Sequence, residues 1–276
     1  MQHETPEKLS AYIIAYNQVD KIAAAINSVL WADEVVVVDS HSTDGTTELA
    51  LKLGARVVQV PFVGFGELRN EAVAACQHPW VFSLDSDERC TPEARDEILK
   101  IIQSKNTKDI YYVPRKNYFM GRWIKHSGWY PDYRQPQLFR KGCLEYEADP
   151  VHENYICHTY KTFGYLKNPI WQIPFWNLSE MMHKANRYSS LGVTRLEAKY
   201  GKSSMIAAVT HTIWTFIKHY FLQRGFLDGW PGVVIAMGHS YGAFYRYAKF
   251  YEKEKQWPDL QNRSIYKDHV KLEENQ

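Results

Sequence analysis

Cysteine is scarce in this chain: four among 276 residues, Cys76, Cys90, Cys143 and Cys157, with no CxxC pair. That scatter excludes a disulfide framework and a zinc ribbon and fits reduced thiols in a cytosolic compartment. Residues 1–8 lack the basic start and apolar run of a secretion signal, so the catalytic part is expected to stay inside the cell. Nor does any apolar run reach the roughly 18 residues of a membrane span. His211, Lys218 and His219 break one candidate helix, and His239 and Arg246 another. A formal net charge of only +2 and the absence of a nucleic-acid motif argue against nucleic acid as a partner. Internal repeats and low-complexity linkers are missing too.

What is present is a globular composition, 45% hydrophobic and 23% charged, in a length that suits one domain with a sizeable appendage. Charge and aromatics are unevenly spread. Residues 1–165 hold 18 Lys and Arg against 22 Asp and Glu, whereas 181–250 hold 9 against 2. Of the 40 aromatic residues, 33 follow residue 110. The two parts therefore face different partners, and we expect a catalytic domain over 8–170 and a basic, aromatic-rich helical region over 171–276.

From residue 9 the chain alternates short apolar runs with helical periods. Strands are expected at Leu9–Tyr16, Val35–Asp39, Val57–Val60 and Trp80–Asp85. Helices are expected at Lys21–Leu30, Thr47–Leu53, Glu67–Cys76 and from Pro92 to about Gln103. The strands read as continuous Val/Ile runs, the pattern of a parallel sheet covered on both faces, so the fold class is α/β with β-α-β units. Thr91 as N-cap before Pro92 marks one helix start. Two further strands are expected at Ile110–Val113 and Gln137–Arg140. From Asn177 the pattern turns helical, over Ser179–Tyr200, Ser203–Gln223 and Pro231 to about Lys255. In the middle helix Ile206, Val209, Ile213, Ile217 and Phe221 form one apolar stripe.

Ligands of an open parallel sheet bind beyond the carboxyl ends of its strands. Polar residues crowd that edge here: Ala15, Tyr16 and Asn17 after the first strand, Asp39 to Gly45 after the second, and Asp85, Ser86 and Asp87 after the fourth. A D-x-D triplet is weak by itself, but an apolar strand runs straight into this one, so both carboxylates project from the sheet edge. Hard oxygens there suit Mg2+ or Mn2+ on a diphosphate, while a bare helix cap or loop turn is the plain alternative. The Asp39–Gly45 run reads alone as a turn and N-cap; beside the D-x-D it is placed to hydrogen-bond a base or ribose. Arg69 is either a nucleotide contact or a solvated helix residue.

Tyr16-Asn17, Asp39-Ser40-x-Ser42-Thr43-Asp44-Gly45 and Asp85-x-Asp87, at these intervals, resemble the donor half of the inverting glycosyltransferase family 2, which has the GT-A fold. Trp129-Tyr130-Pro131-Asp132, Gln137-Leu138-Phe139-Arg140, Pro150-Val151-His152-Glu153 and Arg224-Gly225-Phe226-Leu227-Asp228-Gly229 are similar to a bacterial subgroup that includes lipopolysaccharide core β-1,4-glucosyltransferases. The resemblance runs from Lys8 to about Glu252. It implies a UDP-hexose donor, most simply UDP-glucose, held by Asp39 and Asp44 at the uridine. Asp85 would meet the ribose or the metal's water shell, Asp87 the metal, and His152 either completes the metal site or is structural. It implies as acceptor a lipid-linked saccharide such as the lipopolysaccharide inner core.

Inversion by one displacement needs a base for the acceptor hydroxyl and a stabilised leaving diphosphate. Asp132, Asp149 and Glu153 are the candidates, Asp132 first and Glu153 next; each could instead be a salt-bridge partner of Arg134 or Arg140. Trp123, Trp129, Tyr130 and Tyr133 offer stacking surfaces for sugars or ordinary core. The basic helical region reads as a peripheral contact with an anionic membrane surface on the cytoplasmic face of the inner membrane, as a packed cap, or as a homo-oligomer contact. Two other classes compete. A sugar-phosphate nucleotidyltransferase would want a glycine-rich loop after the first strand, yet 15–20 contain no glycine; a non-catalytic sugar-nucleotide or lipid-binding module would not need both aspartates.

Overall fold

The computed structural model describes residues 7–147, 154–159 and 163–255. The chain begins with the alternation read from the sequence: β1 (Leu9–Ala15), α1 (Val19–Val29), β2 (Glu34–Asp39), α2 (Thr46–Lys52), β3 (Arg56–Gln59), α3 (Phe65–Ala75) and β4 (Trp80–Asp85). Every residue of β1 is buried, as the unbroken apolar run requires of a strand with helices on both faces. One face packs Ile13, Trp80, Phe82 and Leu84 against Ile22 and Ile26 of α1; the other packs Tyr12, Val36 and Val38 against Leu68 and Ala72 of α3. The short β5 (Glu88–Arg89) then leads into α4 (Pro92–Gln103), whose N-cap Thr91 accepts a hydrogen bond from Ala94 N at 3.1 Å.

Next come β6 (Ile110–Tyr112), β7 (Arg115–Phe119), β8 (Arg122–Trp123), β9 (Pro136–Arg140), β10 (Leu144–Tyr146), β11 (Tyr155–Cys157), β12 (Gly164–Tyr165) and β13 (Ile170–Gln172). The main sheet has seven strands in the order β12-β6-β9-β4-β1-β2-β3. All its pairings are parallel except those of β9, which lies antiparallel between β4 and β6. The sheet is therefore mixed on the side where the sequence loses its alternation. A second sheet, β5-β13-β7-β8, and a β10-β11 hairpin were not anticipated, because strands of two to five residues leave too little periodicity to read.

Three helices follow, α5 (Leu178–Tyr200), α6 (Met205–Ile217) and α7 (Trp230–Lys255), with a π-helical turn at Lys218–Leu222 and a 3-10 turn at Gly225–Asp228 between the last two. The single helix expected over Ser203–Gln223 thus ends as an α-helix at Ile217. Close backbone contacts set the packing of α7. A Cβ at Gly232 would lie 1.8 Å from the Gly225 carbonyl oxygen, and one at Gly238 would lie 1.8 Å from Met181 Cε of α5. The α6 stripe faces outward: Ile206 is 78% exposed, Ile213 55% and Phe221 55%, whereas Ala208 on the other side is fully buried. No described helix is long and apolar enough to cross a membrane.

Candidate active site

Register brings the carboxyl ends of three strands together. Ala15 pairs with Asp39 across β1 and β2, and Ile14 pairs with Asp85 across β1 and β4. Asn17, in the left-handed region at φ 52°, ties the first two loops: its N–H donates to Ser42 Oγ at 2.8 Å and its Oδ1 accepts from Thr43 N at 2.9 Å. Asp44 accepts from Val19 N and Thr46 N, both at 3.0 Å, and so ties the first amides of α1 and α2 together. Asp39 is fully buried and accepts from Ser42 N, Thr47 Oγ1 and Gln59 Nε2, each at 2.9 Å, besides Ser42 Oγ. Burial opposes ionisation of both aspartates, but these hydrogen bonds outweigh it and hold each carboxyl below its usual range. Tyr16, 59% exposed, stands at the same rim beside Ala15.

Arg69 is not a solvated helix residue. It is buried on α3, donating to Ser83 Oγ at 3.1 Å and to Asp85 Oδ1 at 2.8 Å. Asp85 keeps 30% of its side chain exposed. Its burial is outweighed by Arg69 and Arg115, which hold the carboxyl below its usual range. Asp87 shifts the other way, raised by burial and by the neighbouring Asp85 charge. Gln172 Nε2 of β13 donates to Asp87 Oδ1 at 3.1 Å, and the Asp87 carbonyl accepts from Ile173 N at 3.0 Å. The carbonyl of Ser86, between them, accepts from Arg89 Nη1 at 2.8 Å. Two crowded, half-buried carboxylates of this kind fit a hard divalent cation that keeps water among its ligands. Among the described residues no group of three or more His, Cys, Asp or Glu is arranged to hold a metal ion. His152, Glu153 and Asp149 lie outside the described residues.

Beneath this pair sits a group that sequence reasoning missed. Glu88 has no exposed surface; it accepts from Asp85 N at 2.9 Å and Gln137 Nε2 at 2.9 Å and pairs with Arg115 Nε. Burial, with help from Asp85 and Asp87, pushes its carboxyl up to about 7 despite Arg115. Arg115, 2% exposed, also donates from Nη1 to the Asp132 carbonyl at 3.3 Å, and two residues along β7 Asn117 Nδ2 donates to the Trp129 carbonyl at 2.9 Å. One strand face therefore holds the Trp129–Asp132 segment against the Asp85–Glu88 turn. The Asp132 side chain, 12% exposed, meets Arg134 Nε at 2.9 Å. The only signal in the sequence for Glu88 and Arg115 is that they are charged residues at the ends of apolar runs.

The helical region reaches this site. Lys21 of α1 bonds Glu180 of α5 at 2.5 Å, and both Lys21 and Lys184 lie near enough to Asp87 to favour its ionised form. Asp228 accepts from Lys125 N at 3.1 Å, His126 N at 3.1 Å and Ser127 Oγ at 2.8 Å. The Arg224–Gly229 motif thus anchors the region to the loop that precedes Trp129. Trp123 packs edge-on to Tyr130, and the Trp129 ring packs on Phe119.

A sheet of this strand order, with one antiparallel strand beside β4 and carboxylates at the rim of β1, β2 and β4, has the architecture of the GT-A fold. The chain belongs to glycosyl transferase family 2, whose model matches residues 10–166, and it is a glycosyltransferase. An uncharacterized glycosyltransferase of Rickettsia felis is 32% identical over 255 residues, 89% of this chain and 90% of that one. The lipopolysaccharide core biosynthesis glycosyltransferase LpsC of Rhizobium meliloti is 27% identical over 257 residues, 89% of this chain and 92% of that one. Among solved structures, glucosyl-3-phosphoglycerate synthase from Mycobacterium tuberculosis in complex with Mn2+ and UDP-glucose is 27% identical, covers 40% of this chain and 44% of that chain, and has a TM-score of 0.36.

Proposed function

We propose that the chain transfers a hexose, glucose from UDP-glucose, with inversion onto a lipid-linked saccharide such as the lipopolysaccharide inner core, working peripherally at the cytoplasmic face of the inner membrane. The observation that carries the reading is the Asp85–Asp87 pair at the sheet rim with the Trp129–Asp132 segment braced opposite it through Arg115. The near full-length likeness to LpsC supports the acceptor class. Ala15, Tyr16, Asn17, Asp39 and Asp44 form the rim that takes the uridine and ribose. Asp87, with Asp85 and Ser86 beside it, would hold Mg2+ or Mn2+, with His152 the candidate for a further ligand, and the ion would supply charge neutralisation at the leaving diphosphate. Arg69 keeps Asp85 ionised and oriented. Asp132 takes the acceptor hydroxyl's proton as the anomeric carbon is attacked, with Glu153 the second candidate for that base.

The test is release of the donor's nucleoside diphosphate, UDP or GDP, by the purified full chain, with UDP-glucose, UDP-galactose, UDP-N-acetylglucosamine and GDP-mannose, with and without Mn2+. UDP-glucose turnover that needs the ion and falls at least a hundredfold in Asp87→Asn is expected. Turnover unchanged by Asp87→Asn overturns the reading. Asp132→Asn lowers kcat far more than donor affinity; if Glu153→Gln does so instead, the base moves to Glu153.

A further inference from the structure

The α6 helix wears its apolar side outward. Ile206, Val209, Ile213, Ile217 and Phe221 recur three and four residues apart, which in a packed helix is the face turned to the core. Here they are 37–78% exposed, while the side that meets α7 carries Ala208 and His211, whose ring stacks on Tyr247 at 4.6 Å. The apolar surface continues past the helix. Phe221 and Tyr220 pack at 5.1 Å and Tyr220 and Phe226 at 6.2 Å, leading to Trp230, 78% exposed. A contiguous patch of this kind is rare on a monomer without a partner and marks an interaction surface.

The charge around it selects the partner. Between Glu197 and Asp228 the sequence has no acidic residue, and Lys199, Lys202, Lys218 and Arg224 flank the stripe at its two ends. A second copy packed by two-fold symmetry would set these cations against one another with no acid between them. An anionic bilayer accepts both features, apolar side chains below the headgroups and lysine and arginine at their level. The 13 residues of α6 are too few to span a membrane, so the helix lies in the surface plane.

We infer that the exposed face of α6, together with the Phe226–Trp230 turn, is a docking surface for an anionic phospholipid membrane. It deepens the proposed function, since a membrane-seated enzyme meets a lipid-linked acceptor directly. The test is sedimentation of the full chain with vesicles of phosphatidylethanolamine and phosphatidylglycerol, and with phosphatidylcholine alone, in the absence of donor and acceptor. The expected result is partition onto the anionic vesicles, at least tenfold weaker in Ile213→Glu/Ile217→Glu, and weaker in Lys218→Glu/Arg224→Glu on anionic but not neutral vesicles. These side chains are exposed, so both variants keep the wild-type circular dichroism and donor turnover. Equal partition of wild type and Ile213→Glu/Ile217→Glu overturns the inference. So does a dimer in light scattering that the same pair of substitutions converts to monomer. Loss of UDP-glucose turnover in the wild type would sink the proposed reaction and leave the vesicle result standing.

Discussion

At the scale of single residues, the site depends on charges that the chain itself neutralises. Arg115 and Glu88 are almost wholly buried, and removing one member of such a pair costs about 3–5 kcal/mol because the other is left in the interior without its partner. Arg115→Met is therefore expected to lower stability in urea by that order, and Arg115→Met/Glu88→Gln to recover part of it. Both variants lose kcat before donor KM, because the Asp132 carbonyl loses its donor while the uridine rim stays intact. Equal losses in kcat and donor affinity would contradict a bracing role. Glu34, at the opposite edge of the sheet, gives a separate pH test. Burial opposes its ionisation, yet Ser10 Oγ, Gln77 N and Arg56 bond it and hold its carboxyl below the usual range. A depressed carboxyl stabilises the fold above its unfolded pKa, near 4.5, and that contribution is lost as pH falls through the lower folded value. Glu34→Gln should lose less stability than wild type between neutral pH and acid, measured by urea unfolding at each pH.

At the scale of elements, caps and glycine contacts decide where helices start and how they dock. Thr91 Oγ1 accepts from Ala94 N and donates to the Pro169 carbonyl at 2.9 Å, so Thr91→Ala removes a cap and a tie to β13. A loss of about 1–2 kcal/mol is expected in thermal unfolding, and no change would mean that the cap is replaced by water. Gly232 is more demanding, since α7 crosses the Gly225 carbonyl there without room for a Cβ. Gly232→Ala should displace the start of α7 and make the chain cleavable near Arg224 by trypsin. The start of α4 was legible in the sequence because the capping chemistry of Thr91 and Pro92 is local. The end of α6 was not, because the π-helical turn at Lys218–Leu222 leaves no compositional mark.

At the scale of the whole molecule, the helical region and the α/β sheet are joined through a few buried polar contacts. Asp228, 2% exposed, satisfies the Lys125 and His126 amides and the Ser127 hydroxyl. Asp228→Ala leaves these donors unpaired and is expected to weaken docking by about 3 kcal/mol. Hydrogen exchange should then speed up in α7 while the amides of β1, β2 and β4 remain protected; uniform acceleration would mean that the two regions unfold as one unit. The anionic-membrane surface belongs to this scale as well, since its charge and its apolar face come from one stretch of chain that the rest of the fold leaves uncovered.

The sequence by itself determined the order of strands and helices through β4 and α4, because continuous Val/Ile runs and 3.6-residue periods are properties of neighbouring residues. It also determined which polar residues stand at the carboxyl ends of β1, β2 and β4, since a strand's last residue is fixed by where its apolar run stops. Tertiary structure alone decided that β9 runs antiparallel beside β4 and that Arg69 is spent on Asp85. It also put Glu88 and Arg115 between the Asp85–Asp87 turn and Asp132, and turned the α6 stripe to solvent. Each of these depends on residues between about 16 and 60 positions apart meeting in space, or failing to, and periodicity carries no information about such meetings.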